Sequence, residues 1–248
     1  MQTGIIVQAR TGSTRLPNKV LLPFYEGKGI LELTITKLRN NSKLPIVIAT
    51  SNNSSDEKII QLAKKCNVEF FVGSEKNVLE RFIDAAEHFN FSSIVRVCSD
   101  NPFLDMSDLN ILSNENEPYD YSCFSVNGSP SILSHVGFWA EKVSLKALKK
   151  IQKMSQKNHH QEHVTSYIYQ NPEKFNINKI EIHQMFSNSN IRLTLDTIED
   201  FTVLKKVYAC LVDTKSNYNF DKHDVMNYLN ENPSYFDSME VNIKSNEK

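Results

Sequence analysis

Hydrophobic positions in the first hundred residues form short unbroken runs, separated by longer segments of helical spacing. Residues 3–9 (TGIIVQA) are an apolar run that predicts a buried strand. Residues 29–40 carry Ile30, Leu33, Ile35 and Leu38 near helical spacing, and 44–50 (LPIVIAT) is a second buried run. Ser54-Ser55-Asp56-Glu57 opens a helix that bears Ile59, Ile60, Leu62 and Ala63, with small polar residues where a helix start wants them. A third strand is predicted over Val68–Val72, and a fourth over Ser92–Cys98. Between them, Asn77–Phe89 sets Leu79, Phe82, Ile83, Ala86 and Phe89 on one side of an amphipathic helix. Strands that read as near-continuous apolar runs, alternating with helices, imply an α/β fold. Its central sheet is mostly parallel, with helices on both faces.

The pattern is less regular afterwards. It predicts a short helix at 106–117, strands at 119–126 and 132–142, and helices at 144–155 and 160–170. An alternating segment at 174–182 and the run 190–196 (NIRLTLD) read as strands, followed by helices at 199–212 and 221–231. The tail from about 237 is polar and predicted to fray. No repeat or low-complexity linker divides the chain, so it reads as one domain. Residues 119–185 are a candidate small inserted lobe between a first part (1–118) and a return to the core (186–236), with a tail at 237–248.

Composition narrows the partners. A formal net charge of −1 over 248 residues gives no bulk attraction for nucleic acid. Cys66, Cys98, Cys123 and Cys210 form no CxxC pair, and their apolar neighbours suggest reduced thiols in a cytoplasmic protein. The start lacks a charged segment before a long apolar core, and no apolar run nears the length of a membrane span.

Chemistry concentrates at the ends of predicted strands, where open parallel sheets bind ligands. After the first strand come Ala9-Arg10-Thr11-Gly12-Ser13-Thr14-Arg15 and, shortly on, Lys19. One glycine, three small hydroxyl residues and three cations suit a polyphosphate: backbone N–H groups and hydroxyls donate, while Arg and Lys neutralise. The loop is neither a Walker A nor a GxGxxG turn, since the required glycines are absent. Asp100 follows the fourth strand, and Asp196 closes Arg192-Leu193-Thr194-Leu195. Two strand-end aspartates beside a polyphosphate loop suggest a Mg²⁺ site, which one or two carboxylates, phosphate oxygens and water usually complete. The plainer alternatives are a solvated surface turn for the loop and helix caps for the two aspartates. His159, His160 and His163 are compatible with one helical face but lack a catalytic zinc signature, and a lone Trp139 is more often packing than platform.

The run IIVQARTGSTRLPNKVL resembles the opening signature of the sugar-activating cytidylyltransferases, which include the CMP-Kdo and CMP-sialic acid synthetases. The nearest resemblance is to the spore coat polysaccharide biosynthesis protein F group. Further matches follow in order: Val72-Gly73-Ser74-Glu75 with Val78–Phe82, Arg96–Asp105, Glu162-His163-Val164-Thr165 with Tyr167, and Arg192–Asp200. The resemblance implies a nucleotide-diphospho-sugar transferase fold of the glycosyltransferase-A-like, Rossmann-like kind. It implies CTP, Mg²⁺, a small sugar acceptor such as a 2-keto sugar acid, and a homodimer built through the lobe at 119–185. By position, Arg10 and Lys19 would hold the β- and γ-phosphates. Ala9, Thr11, Gly12, Ser13, Thr14 and Arg15 would line the triphosphate loop. Ser74 and Arg81 would meet the nucleoside, and Asp100 and Asp196 the metal. Asp100, or a metal-bound hydroxide, would also take the proton of the attacking hydroxyl. Two positions depart from the family pattern. Asn77 stands where an acid is common, and Gly137-Phe138-Trp139-Ala140-Glu141 replaces a Gly-Leu-Asp-x-Glu-like run. Trp139, Glu141 and His163 are thereby the candidate acceptor-side residues. A glycosyltransferase on the same fold would want a DxD motif where Ser99-Asp100-Asn101 stands, and a non-catalytic nucleotide-binding module would bind CTP without turnover.

Overall fold

The computed structural model describes residues 2–183, 186, 190–215, 218 and 220–245. Its first half is a run of βα units: β1 (Thr3–Gln8), α1 (Ile30–Asn41), β2 (Ile46–Ser51), a 3-10 turn at Ser54–Asp56 leading into α2 (Glu57–Lys65), β3 (Glu69–Gly73), α3 (Val78–His88), β4 (Ser93–Cys98) and α4 (Met106–Asn114). The second half holds β5 (Tyr121–Val126), β6 (Ser129–Pro130), β7 (Glu141–Ser144), α5 (Leu145–Met154), α6 (Asn158–Glu162), α7 (Ser166–Gln170) and β8 (Ile177–Glu181). It ends with α8 (Ile198–Lys215), α9 (Lys222–Glu231) and α10 (Ser234–Ser245).

The eight strands among the described residues join one sheet in the order β3-β2-β1-β4-β7-β5-β6, with β8 also on β5. β1 to β4 are parallel, β7 lies antiparallel between β4 and β5, and β8 runs parallel to β5. Residues 119–185, expected as an inserted lobe, therefore add their strands to the central sheet. Along β1 the period of two sends Ile5 and Val7 into one core and Ile6 into the other. The first core is closed by α1, α2, α4, α8, α9 and α10, the second by α3, α5 and α7. The chain builds outward from β1 through β2 to β3, then crosses to place β4 on the other side of β1. That reversal opens a crevice beyond the carboxyl ends of β1 and β4, the natural ligand position in such sheets.

Four expectations need correction. Of 132–142, only Glu141 and Lys142 are strand, at the start of β7. Gly137, at φ +72°, breaks the run because the chain there abuts the Leu193 carbonyl, 2.9 Å from where a Cβ would stand. Residues 190–196 bury Ile191, Leu193 and Leu195, but they are irregular and form no ladder. Leu193 N–H donates to His135 O (2.8 Å) and Leu195 N–H to Asp100 O (2.9 Å), so the apolar alternation records burial and not sheet pairing. The helix expected at 160–170 is two short ones, interrupted at His163–Thr165. The tail is helical as α10, anchored by the buried Met239. Its last residues 246–248, and 184–185 at the end of the expected lobe, lie outside the described residues. Cys123 is buried, the other three cysteines are half-buried, and all four are free thiols. No helix among the described residues is long and apolar enough to cross a membrane.

Candidate active site

The loop after β1 is tied down from below. Ala9 is buried, and its N–H extends the β1 pairing by donating to Ala49 O (3.2 Å). Thr11 turns inward: its N–H (2.7 Å) and hydroxyl (2.6 Å) both meet Asp56 Oδ1. The other oxygen of Asp56 accepts from the Thr50 hydroxyl (3.1 Å), the Ser51 N–H (3.1 Å) and the Ser51 hydroxyl (2.5 Å). Burial alone would raise this carboxyl's pKa, but the donors outweigh it and hold the group below the usual carboxylate range. Asp56 is thus the loop's anchor, and Thr11 is committed to it. A second tie closes the turn, with Asn18, in the left-handed region at φ +58°, donating its N–H to Thr11 O (2.9 Å). Between these ties Gly12, Thr14 and Arg15 are exposed and Ser13 is half-buried. Arg10 is also accessible, with its guanidinium 3.5 Å from Glu162.

Lys19 leads from this loop into the crevice. Its ammonium lies 2.8 Å from Asp100 Oδ2, 3.1 Å from Asp196 Oδ1 and 2.7 Å from the Leu195 carbonyl. Burial lowers its pKa, but the two carboxylates prevail and raise it above the ordinary lysine value. Arg15 stands 3.1 Å from the same Asp196 oxygen. Two carboxylates on separate segments and one carbonyl therefore converge on a single cationic centre. This hard oxygen set fits Mg²⁺, which takes one or two protein carboxylates and draws its remaining ligands from phosphate and water. Among the described residues no cluster of three or more His, Cys, Asp or Glu side chains forms a metal cage, so such an ion would need those outside ligands.

Asp196 is not the cap of α8. Thr197 and Asp200 form the reciprocal pair: Asp200 N–H donates to the Thr197 hydroxyl (3.2 Å), and Thr197 N–H donates to Asp200 Oδ2 (3.0 Å). The fully buried Arg192 grips Asp200 through Nε (2.8 Å) and Nη2 (2.9 Å), and reaches Asp196 Oδ2 at 3.3 Å. Arg192 and Asp200 bound a matched motif in the sequence, which gives neither of them a role. The Thr-x-x-Asp spacing at 197–200 was the available signal.

The residues expected on the acceptor side divide. Trp139 is 5% exposed, donates Nε1–H to Asp108 (2.7 Å) and packs among Phe124, Phe138 and Phe186. Glu141 is 2% exposed, with its oxygens engaged by Arg96, by the Tyr121 hydroxyl and by the Thr165 hydroxyl. Arg96 in turn donates to the Gln8 side-chain oxygen (2.9 Å), so this network braces the end of β1. Neither Trp139 nor Glu141 has surface to offer an acceptor, which corrects both expectations. His163 is exposed at the α6–α7 break, with its ring 4.7 Å from that of His159. His160 is a satisfied interior histidine, bonded to Ser155 and Gln170. Ser74 takes the Asn77 N–H on its hydroxyl (3.0 Å) and the Arg81 guanidinium on its carbonyl (2.8 Å). Asn77, in the place of an acid, caps α3 through Glu80 N–H. Arg81 is fully buried, with Nε and Nη2 lacking partners among the described residues. Burial, then the nearby Arg10 charge, pushes its pKa down to about 10.

Relations to known proteins follow the same lines. The family model described as cytidylyltransferase matches residues 4–240. The spore coat polysaccharide biosynthesis protein SpsF of Bacillus subtilis is 33% identical over 82% of this chain and 85% of its own length. A cytidylyltransferase from Leptospira borgpetersenii superposes with a TM-score of 0.84 at 29% identity, covering 95% of this chain and 97% of that one. A CMP:2-keto-3-deoxy-manno-octonic acid synthetase complexed with CTP shares the fold at 14% identity, with a TM-score of 0.64 over 85% of this chain and 99% of its own. Sequence similarity along nearly the whole length and a common nucleotidyltransferase fold agree, and the chain belongs to the cytidylyltransferase family.

Proposed function

We propose that this nucleotidyltransferase moves CMP from CTP to a sugar hydroxyl and releases pyrophosphate, in the synthesis of a surface polysaccharide or glycan. The observation that carries the reading is the convergence of Asp100, Asp196 and the Leu195 carbonyl on Lys19, in the crevice faced by the cationic loop. In this reading the triphosphate lies along Gly12–Arg15, with Arg10, Arg15 and Lys19 neutralising it and Ser74 on the nucleoside side, while Arg81, expected beside it, is fully buried and acts from behind by holding the Ser74 carbonyl. Asp100 and Asp196 would hold Mg²⁺, whose charge favours departure of pyrophosphate. The sugar oxygen bonds to the α-phosphorus, the bond from that phosphorus to the α–β bridging oxygen breaks, and Asp100 accepts the hydroxyl proton. Positioning and fixed charge supply most of the acceleration in such transfers. A 2-keto sugar acid is the proposed acceptor, with His163 beside it, and a cytoplasmic homodimer is the proposed working form.

The test is incubation with CTP, Mg²⁺ and a panel of 2-keto sugar acids, read as pyrophosphate release, with calorimetric CTP binding alongside. Release with one acceptor supports the proposal. CTP binding without release from any acceptor would favour a non-catalytic module, and loss of both would remove the reading. Light scattering of the purified protein decides the dimer.

A further inference from the structure

We infer that Asp200 and Arg192 are positioning residues that set how Asp196 faces the metal site, and that helix α10 belongs to this machinery. The inference rests on the reading above, in which Asp196 is a metal ligand. Arg192 is a buried cation that faces two carboxylates at once. Asp200 takes it with both oxygens, at 2.8 and 2.9 Å, while Asp196 receives one longer contact of 3.3 Å. The remaining Asp196 oxygen is thereby left toward Lys19. Asp200 also accepts the Asp196 N–H (3.0 Å), so it fixes that residue's backbone as well as its electrostatic surroundings.

A capping residue alone would need no such partner. The burial of the Arg192 side chain makes the charge of Asp200 the decisive property. Without it, a buried guanidinium left with Asp196 as its one carboxylate, beside His135 at 2.7 Å, would turn further onto Asp196 and compete with any cation for that carboxylate. Helix α10 closes the back of the pair. Asn242 donates to Asp200 Oδ1 (3.2 Å), and the Arg192 N–H meets the Met239 sulfur (3.5 Å).

The experiment follows Mn²⁺ binding to the full-length protein with saturating CTP, read from the paramagnetic resonance signal of free Mn²⁺. Near-UV circular dichroism checks the fold. Asp200→Asn is expected to weaken Mn²⁺ binding about tenfold or more, the range for residues that orient metal ligands, with CTP affinity in the absence of metal unchanged. Adding Arg192→Met to Asp200→Asn should restore most of the loss, because the competing cation is gone. Asn242→Ala should give a smaller loss in the same direction. A merely structural role predicts the opposite for the double variant, which removes more packing than the single one. A folded Asp200→Asn that binds Mn²⁺ like the parent, or a double variant worse than the single, overturns the inference while leaving the function standing. If Asp200→Asn does not fold, unchanged Mn²⁺ affinity in Asn242→Ala overturns it. A parent protein that binds no Mn²⁺ with CTP removes both.

Discussion

Replacing Asp56 should uncouple the phosphate loop from the sheet. One buried carboxylate receives both donors of Thr11, both of Ser51 and the hydroxyl of Thr50. In Asp56→Ala the three hydroxyls can rotate toward other acceptors, but the N–H groups of Thr11 and Ser51 cannot. Each buried donor left without a partner costs about 1–3 kcal/mol, and water entering the gap recovers part of that, so a loss of about 3–4 kcal/mol in unfolding free energy is expected. Asp56→Asn keeps an acceptor for Thr11 and should lose about 2–3 kcal/mol, since its amide then faces the donors of Thr50 and Ser51. The assay is urea denaturation at pH 7, with calorimetry for CTP. In the protein that remains folded, CTP affinity should fall while the bare nucleoside binds as before. Because the folded pKa of Asp56 is depressed, its contribution is fully present above the unfolded carboxylate value, about 3.9. The charge-dependent part is lost as pH falls through the folded pKa, so the gap between parent and Asp56→Ala should hold at pH 5 and begin to narrow only below about pH 4. Parent-like stability in both variants, or a gap that already closes near pH 6, would refute the assignment of Asp56 as the loop's anchor.

Other substitutions separate chemistry from packing. Lys19→Ala should slow transfer by about 10²–10³ with little change in cytidine affinity, the signature of a lost electrostatic stabiliser; equal effects on rate and affinity would place Lys19 away from the triphosphate. Trp139→Phe removes the bond to Asp108 and should cost about 1–2 kcal/mol of stability with no change in acceptor KM. A changed acceptor preference would put Trp139 back in the pocket. Glu141→Gln strands the buried Arg96 and should cost about 3–5 kcal/mol by thermal or urea unfolding. Gly137→Ala forces a side chain into φ +72°, against the Leu193 carbonyl. It should lose at least about 1–3 kcal/mol from conformation alone, again by denaturation.

What the sequence disclosed and what it hid have distinct physical causes. The parallel half of the sheet was legible because Ile5–Val7, Val47–Ala49 and Ile94–Val97 are buried on both faces, so their runs need no partner to be recognised. Asp100 stood out because it follows a buried strand almost directly, and Lys19 because it closes the cation-rich loop after β1. Asp196 was found for the wrong structural reason. Its segment is no strand, yet the same alternation buries Ile191, Leu193 and Leu195 and delivers the carboxylate to the crevice. Periodicity reports which side faces the core and says nothing about whether a neighbour pairs, which is also why 132–142 was misread. The groups that hold the site were invisible for another reason. Asp56 meets Thr11 across 45 residues, Arg96 meets Glu141 across 45, and Asn242 meets Asp200 across 42, and no local pattern announces a contact at that range. Trp139 and Glu141 stood out because of their types and their place in a family motif, but type and motif do not give depth. An indole with its N–H satisfied inside, and a carboxylate already matched by a guanidinium and two hydroxyls, are complete without a substrate. The cations of the loop and the carboxylates around Lys19 instead pair with one another outside the packed core, and the proposed function rests on those.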